Sequence, residues 1–261
     1  MKTQVSILLT FCGYVVGIGA QGRPPLQTLL DRLEEPQLDL GAVSNLANYQ
    51  DERVLPSLKD AFEARQSKQD RQYIASSIVR LGEKDEKYYR YLESFAKVAV
   101  DSDLPNPYVY GADGVAVRGK LNPDLKIWAE KNGISVEEAF HRASDTFPTD
   151  LMRFGGTRDG RNLALLRRGL KSANPMVVAP SADALASMND VDSIPFVLRL
   201  IETSSKSLAL ALTISLTLYD VGVDREQQIR GLLLDPKLRE MYRWSMETKH
   251  KREVQSPQAV R

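Results

Sequence analysis

The chain has 261 residues, with 35 basic side chains against 34 acidic, two histidines and one cysteine. Near-neutral charge argues against a general nucleic-acid binder, which needs a basic field to meet phosphate, and two histidines exclude multi-histidine metal sites and most histidine-based enzymes. No phosphate loop, dinucleotide fingerprint, nucleophile elbow or calcium loop occurs, so the residues indicate no cofactor.

Residues 1–20 read as a secretion signal: Lys2 gives the positive start, Val5 to Val16 an apolar run, and Gly17-Ile-Gly-Ala20 a small-residue cleavage region. The apolar stretch falls short of the roughly 20 residues that a membrane span needs, so no transmembrane span is expected after cleavage. Cleavage before Gln21 removes Cys12 and Lys2 and leaves a cysteine-free chain of zero net charge. That composition fits an exported bacterial protein, periplasmic or extracellular, better than a disulfide-stapled module.

Beyond the Pro24-Pro25 lead, Leu26, Leu29, Leu30 and Leu33 recur at helical spacing and Pro36 closes the helix. Ala42 to Tyr49 forms the next helix, Asp51 marks a turn, and Val54, Leu55, Leu58 and Phe62 line another. Ile74, Ile78 and Leu81 carry a helix that stops at Gly82. Tyr88, Leu92, Phe95 and Ala99 complete this half, residues 21–100. The pattern returns over residues 163–246: Leu163, Leu166 and Leu170, then Val178, Ala182 and Leu185, then Ile194, Val197, Leu198 and Ile201. Ala42-Val-Ser-Asn-Leu-Ala-Asn-Tyr-Gln-Asp51 aligns with Ser181-Ala-Asp-Ala-Leu-Ala-Ser-Met-Asn-Asp190, and Pro56 and Pro195 follow at the same distance. Leu208, Leu210, Leu212, Ile214, Leu216 and Leu218 alternate with a strand's period, but the repeat register makes this segment an inner helix. Residues 247–261 have little to bury and are expected to be a disordered tail. Trp128 and Trp244 lie among apolar helical positions and are expected to pack under helices.

These segments, above all Val54-Leu-Pro-Ser-Leu-Lys-Asp-Ala-Phe62 with Ile74-Ala-Ser-Ser-Ile-Val-Arg-Leu-Gly82, and Ser193-Ile-Pro-Phe-Val-Leu-Arg-Leu-Ile201, resemble the HEAT-like repeats of the armadillo superfamily, particularly the short variety found in bilin lyases. The resemblance implies an all-α fold, a superhelix of paired helices whose concave face holds a partner, and transfers no active-site residue. The acidic-Pro-Asp turn and the Val-Arg opening of the inner helix, usual in such repeats, are degenerate in this chain.

Residues 101–162 break the rhythm and hold seven of the 16 glycines. Pro105 to Gly119 reads as a long loop with a short hairpin around Asp113-Gly114. Asn122-Pro123 opens a helix that Gly133 closes, and Ser135 with Glu138 forms a capping box for the next. Tyr108 and Tyr110 flank Val109 and would share one side of an extended segment, as an aromatic platform or as a lid over the first repeat block. Glu137, His141 and Asp145 share one helical stripe, which has the spacing of ordinary surface charge pairs as well as of a ligand set. Phe154-Gly-Gly-Thr-Arg-Asp-Gly-Arg161 is glycine-rich ahead of a helix, where free N–H groups with Arg153, Arg158 and Arg161 would hold an anion.

The reading these features favour is an exported, non-catalytic scaffold binding a protein or other macromolecule of the cell envelope, with no nucleic acid among its partners. Its candidate binding residues are Tyr108, Tyr110, Arg153, Arg158 and Arg161. The alternative is an enzyme or small-anion binder with a site in the central insertion, lined by the loop, Glu137, His141, Asp145 and the arginines. A bilin-lyase-like role fits less well, because those proteins act inside cells.

Overall fold

The computed structural model describes residues 24–49, 51–101, 104–105, 107–110, 116–146, 149–172 and 174–255; residues 1–20, expected from the sequence to be a secretion signal, lie outside the described residues. Helix starts follow side-chain caps that satisfy the free N–H groups of a first turn. Asp39 accepts from the Ala42 N–H at 3.0 Å, Ser67 from that of Asp70 at 3.2 Å, Asn122 from that of Asp124 at 3.1 Å and Asn174 from that of Met176 at 2.9 Å. Pro123 and Pro175 stand in the first turn, where no N–H is needed. The ends are equally local. Gly82 (φ 85°), Gly133 (φ 66°) and Asn189 (φ 55°) take the left-handed conformation just beyond their helices. The next N–H then reaches back five residues, as from Asp190 to the Leu185 carbonyl at 2.9 Å.

Among the described residues the chain is predominantly helical, with 14 helices and one two-stranded hairpin. In order they are α1 (Leu26–Asp31), α2 (Leu40–Leu46), α3 (Val54–Ala64), α4 (Lys68–Arg80), α5 (Glu86–Asp101), β1 (Tyr108–Tyr110), β2 (Ala116–Leu121), α6 (Pro123–Lys131), α7 (Val136–Thr146) and α8 (Thr149–Gly156). After them come α9 (Leu163–Gly169), α10 (Pro175–Ser187), α11 (Ile194–Thr203), α12 (Lys206–Leu216), α13 (Val223–Leu232) and α14 (Pro236–Gln255). The all-α class expected from the periodicity is what the structure has.

Contacts run in series: α2 packs on α4, α4 on α8, α8 on α10, α10 on α12 and α12 on α14. Each of these helices also packs on one that precedes it: α1 on α2, α3 on α4, α5 on α8, α9 on α10, α11 on α12 and α13 on α14. One buried apolar cluster runs from Leu29 to Met246 through all of them. The hairpin, α6 and α7 are a side excursion between α5 and α8; α6 and α7 pack on each other through Leu125, Ala129, Ala139 and Ala143, all fully buried.

Three sequence expectations give way to tertiary contacts. Phe154-Gly155-Gly156 is not a loop but the end of α8, and Gly155 is there for packing: a Cβ on it would come within 2.7 Å of the Ala184 Cα on α10. The tail is helical to Gln255 because the carbonyls left over at the end of α12 take a partner from it. Lys249 Nζ donates to the Tyr219 carbonyl at 2.8 Å, and His250 Nε2 lies 2.9 Å from Glu226. Trp244 is 59% exposed on α14 rather than packed under it, whereas Trp128 is half-buried against the core. The segment at 208–216 lies in helix α12, where Ala209, Leu212 and Leu216 are buried while Leu208, Leu210 and Ile214 are partly covered.

Asp51 and Asp190 stand before α3 and α11, and Asp159 stands in a similar place before α9. Arg53 and Arg161 each donate their backbone N–H (3.0 Å) and their guanidinium to the aspartate two residues earlier. At Asp190 the arginine comes instead from α9: Arg167 holds that buried carboxylate with two bonds, its Nε at 2.9 Å. The sequence pattern does not single out Asp159, because Ala164 stands where Pro56 and Pro195 follow the other two aspartates.

Candidate functional site

The residues singled out in the central segment do not converge. Tyr108, in β1, is 39% exposed and sets its ring edge-on against Phe140 of α7 at 5.7 Å. Tyr110 ends the same strand, opposite Ala116, while Tyr108 stands opposite Leu121; the register shifts between them, so simple alternation does not relate the two. Asp113 and Gly114 lie outside the described residues. Glu137 and His141 are exposed along α7, and the side chain of Asp145 lies outside the description. Ser135 accepts from the Glu138 N–H at 3.0 Å, one half of a capping box, while the Glu138 carboxylate accepts from Arg142 at 2.6 Å. Among the described residues no cluster of histidine and carboxylate could hold a metal ion.

The three arginines take three different environments. Arg153 is buried between α4 and α8; it donates to the Gln72 side chain, which in turn donates to Asp150, and its guanidinium lies 3.9 Å from the Tyr73 ring centre. Its Nε and Nη2 have no hydrogen-bond partner, and the ring face is what they meet. Arg161 bonds Asp159 and Glu86, the latter at 2.5 Å, and stacks on Tyr89 at 3.7 Å. Burial pushes the Tyr89 hydroxyl up to about 12. The helix start at Gly160 therefore already has its anion, the Asp159 carboxylate, which corrects the expectation of a free anion cradle there. Arg158 is exposed, as Arg161 is, and has its backbone at φ 56°.

What the structure brings together is a different set. Each helix of the series α2, α4, α8, α10 and α12 keeps one flank partly open at helical spacing: Asn48; Tyr73, Ser76 and Arg80; Met152; Ala179 and Asp183; Leu210 and Ile214. On α4 these positions recur every three or four residues, so they form one side of the helix. Asp183 is half-buried, and the Ser215 hydroxyl of α12 donates to its Oδ1 at 2.5 Å. Desolvation raises its carboxyl to about 6 against the weaker pull of that hydrogen bond. The two residues on this flank with the strongest electrostatic consequence, Arg80 and Asp183, went unread because their partners, Asn48 and Ser215, are 32 residues away in the chain.

A second concavity lies between α11 and α13, a shallow groove of about 380 Å³ lined by Ile194, Leu198, Ile229 and Leu232 with Arg199 and Arg225 at its rim. It forms because α13 leans on α14 and makes little contact with α11. Among the described residues no helix is long and apolar enough to cross a membrane. Comparison of the chain with protein-family models, curated proteins and solved structures finds no match.

Proposed function

We propose that this chain is a HEAT-like helical-repeat scaffold, exported through the segment at residues 1–20, that binds another protein through the open flank of α2, α4, α8, α10 and α12. The observation that carries the reading is the serial packing of these helices with one flank of each left partly exposed. A row of helices that each contact only their neighbours presents an extended surface rather than a closed pocket, the geometry by which repeat proteins hold partners. The mixture on that flank suits a protein partner: aromatic and methionine side chains at Tyr73 and Met152, then Ala179, Leu210 and Ile214, with few charges. The hairpin stands beside α7 at one margin of the series and is the second contact region in this reading.

The test is crosslinked capture from the exported fraction of the native host, comparing the chain with Ala179→Arg/Ile214→Arg and with a control charged on the opposite side, Leu55→Arg. A protein retained by the wild type and by the control, and lost by the double variant, supports the scaffold. Equal capture by all three overturns the assignment of the flank.

A further inference from the structure

Helices α4 and α8 run side by side in the same direction. Gln72 meets Asp150 and Arg153, the Ser76 hydroxyl donates to the Arg153 carbonyl at 3.0 Å, and Ser76 Oγ lies 3.8 Å from where a Cβ on Gly156 would stand. One further turn brings Arg80, the last residue of α4, level with Arg158, just past the end of α8. Arg80 is half-buried, on the open flank, and donates to the Asn48 side chain at the end of α2. Burial, together with the charge of Arg158, holds Arg80 below the usual arginine range.

Among the described residues no carboxylate pairs with either guanidinium, although the nearby arginines are paired: Arg161 with Asp159 and Glu86, Arg167 with Asp190, and Arg168 with Asp101 at 2.5 Å. Helix C-termini favour one cation each, but two at one level repel each other. Arg158 also keeps a side chain at φ 56°, a position that glycine fills after α4 and α6. Left-handed backbone costs a residue of this kind on the order of 1 kcal/mol. The like-charge repulsion at this spot is relieved by an anion lying between the two guanidinium groups.

We propose that Arg80 and Arg158 form a two-arginine site for a carboxylate in an acidic, partly apolar segment of a partner protein, an inference that rests on the reading of the open flank as the binding face. The surroundings select that class. Asn48, Tyr73, Met152 and Ala179 carry no charge, so the two arginines make one cationic spot among neutral neighbours, with the Asp183 carboxyl as the other charge on the flank. A polyanion such as nucleic acid needs many cations in a row, whereas a peptide needs one anchored carboxylate among apolar contacts.

The test measures fluorescence anisotropy of a labelled peptide of alternating leucine and glutamate, beside its leucine–glutamine counterpart, on the full chain. The glutamate peptide is expected to bind about tenfold tighter, the effect of one charge-assisted contact. Arg158→Gly is expected to abolish that preference while raising the melting temperature, because glycine relieves the left-handed strain; loss of binding then cannot be ascribed to unfolding. Arg80→Gln is expected to reduce the preference without that gain. Equal binding of the two peptides, or a preference that survives Arg158→Gly, overturns the carboxylate site and leaves the scaffold reading standing. Inorganic phosphate that binds where the glutamate peptide does not would assign the arginines to a free anion and overturn the peptide. If neither peptide binds, the site is overturned; if Ala179→Arg/Ile214→Arg also leaves host capture unchanged, the scaffold reading falls with it.

Discussion

The seam between α8 and α10 and the final pair α13–α14 are built in opposite ways. At the seam the backbones nearly touch: Gly155 has no room for a Cβ beside the Ala184 backbone, and on the neighbouring α9 the end residue Gly169 sits close against the Ser181 side chain of α10. At the end, α13 stands away from α11, and Val223, Leu232, Leu234 and Trp244 are 62%, 53%, 70% and 59% exposed, leaving apolar surface that no neighbour covers. The segment that breaks the sequence rhythm thus supplies the tightest joint of the series, while a segment that keeps it makes a loose one. Periodicity reports that a helix has an apolar side; the size of the residues at the contact decides how closely it is held.

The largest effect is expected from Gly155→Ala. The new methyl must displace the backbone of α10, so the loss should be about 3 kcal/mol or more, read as a lower urea midpoint at unchanged slope. A loss under about 0.5 kcal/mol, the size of an ordinary surface change, would show that the two regions are equally tolerant and dissolve the contrast.

Asp183 sharpens the comparison, since it precedes Ala184 in the same helix of the close seam but lies on its partly open flank. Its carboxyl titrates near 6 in the folded chain against the ordinary 3.8, so ionisation opposes folding above pH 6, and stability should rise as the pH falls from about 7 to about 4. Asp183→Asn keeps an acceptor for Ser215 and removes the charge. It should stabilise the protein at pH 7 by about 2 kcal/mol, a figure discounted for partial exposure, and flatten that part of the pH profile. Denaturation series at pH 7 and pH 5 for both chains measure this; a destabilised Asn variant at pH 7 would mean that the carboxylate is favourably held.

The smallest effect belongs to the open end. Trp244→Ser is expected to change stability by less than about 0.5 kcal/mol, because little of the ring is removed from water on folding. A loss beyond about 2 kcal/mol in the same urea titration would place the indole in a covered environment and make the end as well packed as the seam.

The sequence by itself determined the local parts. The caps at Ser135 and Asn122, the stop at Gly82, the helices on either side of Asp51 and Asp190, and the all-α class are legible because each depends on residues within one or two turns. Even the leucine alternation at 208–218, which has a strand's period, belongs largely to a helix, as the spacing of the neighbouring segments leads one to expect. Tertiary structure decided the rest. Gly155 and Gly156 read as a flexible approach to a helix, because a glycine chosen for backbone contact and one chosen for turning look alike until the facing residue, Ala184, is known. Arg153, Arg158 and Arg161 formed one basic group on paper, yet folding buries the first, pairs the third and leaves the second beside Arg80 from another helix. Spacing along a helix fixes which side chains share a side of it; only packing between helices fixes which charges become neighbours, which are neutralised and which stay open to a partner.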